Sequence, residues 1–130
     1  MDTNRRPERA NVGVLSGFDS TVKVEWLKDR EMRLLESVSF VDKKGATWTA
    51  NKSDVIDGAS IPRFFWRFIG SPFIGKYRRP SVIHDVECVK KSSPHKEVHA
   101  LFYEMMLSEG VPKLKAKAMY SAVRMGGPKW

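Results

Sequence analysis

The sequence predicts an α+β protein in which a small N-terminal antiparallel β-sheet packs against three or four C-terminal α-helices. Before residue 57, apolar residues alternate with polar ones, which is the pattern of half-buried strands. After residue 57, they recur at helical spacing between residues that suit helix ends. With 130 residues, 42% of them hydrophobic, the chain can form a core without disulfide bonds. We therefore expect one domain over residues 1–130, with a flexible arm (1–10), a strand-rich half (11–57) and a helical half (58–130).

Alternating apolar residues mark the strands of the N-terminal half. They are Val22, Val24 and Trp26 in a first strand and Val38 and Phe40 in a second. Residues 42–45 are a predicted turn that leads into a third strand near residues 47–50. Residues 31–36 are also compatible with a helical turn.

Prolines, serines and glycines divide the C-terminal half into helical segments. The starts are marked by Ser60 with Pro62, by Pro80, by Ser93 with Pro94, and by Pro112. The first segment is a short helix over residues 61–69, capped by the Ser60 side chain. Gly110 is placed to end the third helix, and Gly126 to end the last one.

The net charge of +8 belongs to the helical half. Residues 1–57 carry ten basic and ten acidic residues, whereas residues 58–130 carry thirteen basic and five acidic ones. Some of the basic residues form small sets, such as Lys113, Lys115 and Lys117. An electrostatic partner should meet this half, and an acidic protein, a nucleic acid or an anionic lipid would suit its charge.

Several classes of protein are disfavoured by what the sequence lacks. A single cysteine cannot form an internal disulfide, so nothing favours an oxidising compartment. No apolar stretch approaches the roughly 20 residues of a transmembrane segment. Glycine-rich phosphate loops, G-x-S-x-G and H-E-x-x-H are absent from the sequence.

All three histidines and the cysteine lie in one stretch with the spacing H-x3-C-x6-H-x3-H. They are His84, Cys88, His95 and His99. In helices, each i, i+4 pair lies on one face, and imidazole and thiolate groups are zinc ligands. We expect zinc or another divalent metal as a possible cofactor, with His84, His99 and either Asp85 or Cys88 as ligands and Asp57 nearby.

Four motifs of the helical half resemble the family called domain of unknown function 1353. They are D-G-A-S-I-P-R at 57–63, V-I-H-D at 82–85, G-V-P at 110–112 and Y-S-A-V-R at 120–124. The resemblance implies a phage or prophage gene product that acts in the virion or in the host cytoplasm. Members usually carry a tyrosine where this chain has Cys88 and an aspartate where it has His99.

The histidine and aspartates of that family are similar to those of phospholipase A2-like enzymes, in which an aspartate orients a histidine base. Because His99 stands where the second-helix aspartate is usual, this dyad cannot work here in the same way. A structural role is the alternative for His84 and Asp85. Asp85 can accept hydrogen bonds from the amides of residues 57–60 or pair with Arg63, and His84 can donate to a buried carbonyl. Cys88 then serves as a small buried apolar group.

A segment rich in aromatic and basic residues precedes the histidine cluster. Most of its rings are expected in the core, with Trp66 and Phe73 exposed. Arginines beside exposed rings can anchor a protein interface or stack on nucleic-acid bases. The predicted partner-binding residues are Arg63, Trp66, Arg67, Phe73, Arg78 and Arg79.

Two hypotheses for function follow. The first is a phage accessory protein that binds a partner through its basic, aromatic C-terminal half, either as a virion or tail component or as an inhibitor of a host factor. A protein partner is favoured over nucleic acid. The alternative is a hydrolase, with or without a metal ion, in which His84 is the base or a ligand and Asp85 and Asp57 support it.

Overall fold

The computed structural model describes residues 17–62, 66 and 75–130. In this part of the chain, six strands precede three α-helices, which confirms the α+β class. The strands are β1 (Gly17–Phe18), β2 (Val24–Lys28), β3 (Glu31–Leu34), β4 (Val38–Val41), β5 (Thr47–Ala50) and β6 (Val55–Ile56). A 3₁₀ turn (Gly75–Tyr77) leads into α1 (Arg78–Lys90), α2 (His95–Ser108) and α3 (Lys113–Gly126).

The strands form two antiparallel three-stranded sheets, where a single sheet was expected. One has the order β1-β4-β5 and the other β2-β3-β6. Although only residues 35–37 separate β3 from β4, the chain changes sheets there. Met32 and Leu34 alternate with half-buried residues on β3. The helical alternative for residues 31–36 is therefore wrong, because strand alternation directs both side chains into the core.

The alternation in the first predicted strand corresponds to burial only in part. Val22 and Val24 pack against the core, but Trp26 at the same spacing is 68% exposed. β2 lies at the edge of its sheet and pairs only with β3 in the described part of the chain. Every residue of β2 after Val24 is exposed, so this end of the edge strand lies beyond the core and leaves the indole in solvent.

The turn between β4 and β5 forms as predicted and is held by one carboxylate. Asp42 accepts hydrogen bonds from the N–H groups of Lys44 and Ala46, each at 2.9 Å. Its second oxygen accepts the indole N–H of Trp48, also at 2.9 Å. Burial tends to raise the pKa of Asp42, but these hydrogen bonds and the charge of Lys44 lower it below the usual value.

The helix ends agree closely with the predicted positions. Pro80 lies in the first turn of α1, and Gly110 has φ +89° just beyond α2. The N–H of Val111 reaches back to the carbonyl of Met106 at 3.0 Å, which is the bonding of a glycine-terminated helix. The predicted Ser93 cap is wrong, because α2 begins after Pro94 with no side-chain cap. The predicted helix at 61–69 lies mostly outside the described residues.

α1 is the central element of the fold. It contacts β4, β5 and β6 on one side and α2 on the other, and α2 in turn packs against α3. Every residue from Pro80 to Cys88 is buried, so α1 is enclosed on all sides. An enclosed helix normally carries apolar residues all round. The polar residues of α1 must therefore find partners inside the protein.

Within the described ranges, no helix has the length and apolar character needed to cross a bilayer.

Candidate functional site

Four polar side chains form a continuous hydrogen-bonded line through the centre of the protein. They are Asp85, Ser60, His84 and His99, and we call them the buried polar chain. Ser60 follows β6 in a turn, His84 and Asp85 are consecutive on α1, and His99 lies on α2. Their exposed fractions are 5%, 4%, 0% and 0%, in the same order. Each must therefore be satisfied by protein groups.

Asp85 ties α1 to the turn after β6. Its carboxylate accepts the backbone N–H groups of Asp57 at 3.1 Å, Gly58 at 2.6 Å and Ser60 at 3.2 Å, and also the Ser60 hydroxyl group. The expected bonds from the turn are therefore present. Gly58 has φ +78°, which lets successive amides converge on one carboxylate. Burial raises the pKa of Asp85, although these hydrogen bonds oppose the rise.

Asp57 contributes its backbone rather than its side chain. Its Oδ1 accepts the N–H of Ala59 at 2.9 Å, so the carboxylate stabilises its own turn. The Asp57 side chain makes no hydrogen bond to His84 in the described structure, where the His84 ring is bonded to Ser60 and His99. Asp57 acts on the site by donating its N–H to Asp85.

His84 bridges Ser60 and His99. Its Nδ1 lies 2.9 Å from the Ser60 Oγ, and its Nε2 lies 2.9 Å from Nδ1 of His99. The expected bond from His84 to a buried carbonyl is wrong, because His99 makes that contact through Nε2 to the Pro128 oxygen at 2.9 Å. Burial, together with the neighbouring His99, lowers the pKa of His84 to about 3. Burial also lowers the pKa of His99, so both rings are neutral at neutral pH.

The Pro128 carbonyl fixes one end of the buried polar chain. A carbonyl only accepts, so the His99 Nε2 donates to it. The Ser60 hydroxyl group and two neutral rings supply three protons for the four contacts from Asp85 to Pro128. The buried polar chain therefore needs a fourth proton, or a cation, to satisfy every contact.

Cys88 completes a compact set of metal-binding atoms. Its Sγ lies 3.7 Å from the His84 Nε2, one helical turn along α1. Ligand atoms of His84, Cys88 and His99 all lie within 4.8 Å of one another, and all three residues are buried. Burial, aided by the charges of Asp85 and Glu87, raises the pKa of the Cys88 thiol to about 12.

One candidate ligand, Asp85, and one member of the histidine cluster, His95, lie apart from these atoms. Asp85 was a candidate metal ligand, but its oxygens face the turn at 57–60. His95 is half-buried, and its Nδ1 lies 2.7 Å from the Trp130 carbonyl oxygen. Cys88, the alternative to Asp85 as a ligand, is the residue that joins the two histidines.

The last residues of the chain cover the outer side of His99. The Trp130 indole donates to the Ser93 oxygen at 2.8 Å, and its ring stands edge-on to His95 and His99. Sequence reasoning missed both this segment and Ser60, which was interpreted only as a helix cap. In the sequence, G-G-P-K-W indicates only that a helix ends.

The predicted partner-binding residues differ in their exposure, and some of them lie outside the described residues. Arg63, Arg67 and Phe73 lie outside the described residues. Trp66 is half-buried rather than exposed, because its ring packs against the core and its indole donates to the Ile61 oxygen at 3.3 Å. Arg78 is exposed at the start of α1.

Arg79 is held inside the fold. Its guanidinium forms two hydrogen bonds with the Glu109 carboxylate, at 2.9 and 2.8 Å, and a third with the Ser20 oxygen at 3.0 Å. It also lies over the Phe18 ring, 4.9 Å from the centroid. Arg79 therefore joins α1 to the end of α2 and to the first sheet, which limits its use in contacting a partner.

A second feature lies on the outer face of α3. Leu114 is 84% exposed and Met125 is 80% exposed, although both are large and apolar. Five basic residues, and no acidic one, follow Glu109 in the sequence. A shallow groove at the end of α3 is lined by Tyr120, Ser121, Arg124, Met125 and Lys129.

The chain matches the family described as "Protein of unknown function (DUF1353)" over residues 32–123. The chain belongs to the DUF1353 family. The matched range contains Ser60, His84, Asp85, Cys88 and His99 of this DUF1353 protein, and it ends before the C-terminal segment that covers His99.

Two similar proteins come from Sinorhizobium fredii (strain NBRC 101917 / NGR234). The protein y4jT, described as uncharacterized, is 47% identical over 97 residues, which are 75% of this chain and 29% of y4jT. The protein y4iH, also described as uncharacterized, is 42% identical over 103 residues, which are 78% of this chain and 43% of y4iH. This DUF1353 protein thus spans less than half the length of these relatives. No solved structure matches it.

Proposed function

We propose that this protein acts by binding an acidic partner through the outer face of α3. The observation that carries the proposal is the exposure of Leu114 and Met125 on a helix with basic and no acidic residues. Exposed apolar patches that are rimmed by polar residues mark interaction sites. On the family resemblance, we expect a phage structural protein or a host factor as the partner, in the virion or in the host cytoplasm.

The spacing on α3 supports a binding face. Leu114, Ala118, Ser121 and Met125 are exposed and follow the i, i+4, i+7, i+11 spacing of one side of a helix. We call these four residues the α3 stripe. Its ends are large and apolar, and its middle is small, so a partner backbone can approach closely between the two ends.

Positive charges border the α3 stripe. Lys113, Lys117 and Arg124 follow a parallel row along the same helix, and all three are exposed. An amphipathic helix with acidic residues beside its apolar face is the partner that complements both rows. Burying a Leu or Met side chain contributes about 1.5–3 kcal/mol, whereas an exposed ion pair contributes about 0–1 kcal/mol. The apolar contacts therefore supply most of the affinity, and the charges supply orientation and association rate.

A protein partner is favoured over nucleic acid by the kind of side chain that is exposed. Binding of single-stranded nucleic acid relies on aromatic rings that stack on bases. The two large exposed side chains of α3, Leu114 and Met125, are not aromatic. Tyr120 beside them is half-buried, and the Arg124 guanidinium lies over its ring. The groove next to Met125 offers a place for an apolar side chain of a partner.

The test uses a fluorescent acidic amphipathic helical peptide, a peptide of the same sequence with Lys in place of Glu, and a short DNA. We expect anisotropy to detect binding of the acidic peptide alone. Leu114→Ala with Met125→Ala should weaken it at least tenfold, since about 1.4 kcal/mol corresponds to a factor of ten. Val89→Ala is the matched control, because Val89 is 77% exposed on α1. Equal binding of the DNA, unaffected by the double substitution, would contradict the proposal.

A hydrolase centred on His84 is the second candidate. This candidate is supported by the hydrogen bonds that join Ser60 to His84 and His84 to His99. In several enzymes, a hydroxyl group bonded to an oriented imidazole is an activated nucleophile. Asp85 supports Ser60, and Asp57 supports Asp85 through its N–H. The burial of Ser60 and His84 requires part of the protein to move before substrate can enter. Hydrolysis of a lipid, peptidoglycan or nucleotide substrate that is lost in both Ser60→Ala and His84→Ala would support this candidate, and no turnover would exclude it.

A further inference from the structure

We infer that His84, Cys88 and His99 form a binding site for one borderline-soft divalent ion such as Zn²⁺. The donors are the Nε2 of His84, the Nδ1 of His99 and the Sγ of Cys88, which come from two packed helices. The site is independent of the outer face of α3, so it goes beyond the proposed function.

The distances between the donors are close to those of a tetrahedral ion. With Zn–N bonds of 2.0–2.1 Å and a Zn–S bond near 2.3 Å, neighbouring nitrogens lie about 3.3 Å apart and a nitrogen and a sulfur about 3.6 Å apart. The two ring nitrogens are 2.9 Å apart, and the sulfur is 3.7 Å from the His84 Nε2. A small separation of the two rings therefore makes room for the ion.

Both histidine rings are already held at the nitrogen that faces away from the site. The His99 Nε2 is bonded to the Pro128 oxygen, and the His84 Nδ1 to the Ser60 hydroxyl group, which contacts Asp85. Histidines that bind metals usually donate their other ring N–H to a carboxylate, a backbone carbonyl or a water molecule. This anchoring aims the two remaining nitrogens at one point beside Cys88.

Proton accounting also favours an ion. Without one, the four hydrogen bonds of the buried polar chain need a fourth proton in addition to those of Ser60 and two neutral rings. With an ion between the rings, the bond from His84 to His99 is replaced by two bonds to the metal. His84 then donates to Ser60, Ser60 donates to an ionised Asp85, and three protons satisfy the three remaining bonds.

The charges balance in the same step. The ion bonds to the His84 Nε2, to the His99 Nδ1 and to the Cys88 thiolate, and two protons leave for the solvent, one from the buried polar chain and one from the thiol. The two positive charges of the ion are then matched by the Asp85 carboxylate and the Cys88 thiolate. The site is neutral before and after binding, so burial does not oppose occupancy through net charge.

The donor set selects the class of ion. Mg²⁺ and Ca²⁺ prefer oxygen ligands, whereas two imidazoles and a thiolate suit Zn²⁺ and Co²⁺. Three protein ligands leave the fourth tetrahedral position to a water molecule or to a further ligand.

Co²⁺ is the probe, because its absorption spectrum depends on its ligands and on their geometry. The full-length protein, freed of metal, is titrated with Co²⁺ while its absorption spectrum is recorded. We expect one equivalent to produce the visible bands of tetrahedral cobalt and a thiolate-to-cobalt charge-transfer band in the near ultraviolet. Cys88 is the only cysteine of the chain, so that band has a single possible source. One equivalent of Zn²⁺ should remove both signals, and a hundredfold excess of Mg²⁺ should not.

Variants separate the site from a general effect on folding. Cys88→Ser should abolish the charge-transfer band, whereas His95→Gln should keep it, because His95 is bonded to Trp130 outside the donor set. Ser60→Ala retains all three metal-binding atoms but removes the hydrogen bond that orients His84. It should lower the affinity for Co²⁺ about 10–100-fold, as the loss of such a bond does in other metal sites. Circular dichroism checks that each variant is folded. The inference is overturned if the folded protein shows no bands with Co²⁺, or if the charge-transfer band survives in Cys88→Ser.

Discussion

The Nε2 of His84 lies 2.9 Å from the Nδ1 of His99, and both rings are fully buried. Two imidazoles in such contact share one proton or one metal ion. Which of the two they share depends on groups beyond the pair, since Pro128 and Ser60 hold the outer nitrogens. The contact therefore links the turn after β6, two helices and the C-terminal segment.

The first prediction concerns Asp85, the carboxylate at one end of the buried polar chain. Asp85→Ala should destabilise the protein by about 1–3 kcal/mol or more, because the buried N–H groups of the turn at 57–60 lose their acceptor. Asp57→Ala is the control, since the Asp57 carboxylate accepts a single N–H, from Ala59. Urea denaturation gives the free energies of unfolding. Equal losses in the two variants would show that the Asp85 bonds contribute no more than a surface turn.

The second prediction is a pH dependence that arises at Asp42. Because its pKa is lowered in the folded protein, Asp42 contributes stability above the unfolded value of 3.8. That contribution is lost as the pH falls through the lower folded value. The difference in unfolding free energy between wild type and Asp42→Asn should therefore be large at pH 7 and shrink towards pH 2.

Trp48→Phe tests the origin of this effect. It removes the indole donor to Asp42 and keeps an aromatic ring in β5. We expect a smaller change of stability between pH 7 and pH 2 than in the wild type. A pH dependence that is the same in both proteins would mean that the indole has no part in it.

The third prediction concerns the ion pair of Arg79 and Glu109. A double-mutant cycle with alanine should give a coupling free energy of about 1–2 kcal/mol, because the pair is bidentate and only 30% and 14% exposed. The pair of Arg33 and Glu25 is the comparison, with 42% and 53% exposure and an expected coupling of about 0.2–1 kcal/mol. Chemical denaturation measures both. Couplings of the same size would show that the bidentate geometry adds nothing.

The fourth prediction concerns the end of α2. Gly110→Ala should cost about 1–2 kcal/mol, because φ +89° is unfavourable for any residue with a Cβ. Its Cβ would meet only the flexible end of Lys76, so the cost is conformational rather than steric. Gly126→Ala is the matched control: Gly126 has no positive φ, and its Cβ would make an ordinary contact with Pro62. Thermal melting should show a lower midpoint for the first variant alone.

Some of the site was predictable from local chemistry. A buried carboxylate on an enclosed helix needs donors, and the amides of a glycine-containing turn are suitable ones, so the bonds from residues 57–60 to Asp85 could be expected. The end of α2 at Gly110 was predictable for a similar reason, since only nearby residues are involved.

Other contacts could not be predicted, because they join residues far apart in sequence. Ser60 meets His84 across 24 positions, and His99 meets Pro128 across 29. Each contact exists because α1 is packed between the sheets and α2, and because the chain folds back over α2 at its end. The division into two sheets likewise depends on packing, since residues 35–37 carry no distinctive turn sequence.

By itself, the sequence determined the α+β class, the positions of most helix ends, the basic character of the second half and the clustering of His84, Cys88 and His99. These properties depend on local periodicity, backbone preferences and composition. Only the tertiary structure decided that Cys88, and not Asp85, faces the two histidines. Consecutive residues of a helix point about 100° apart, so Asp85 turns towards residues 57–60 while Cys88, one turn after His84, shares the face of His84 that meets α2.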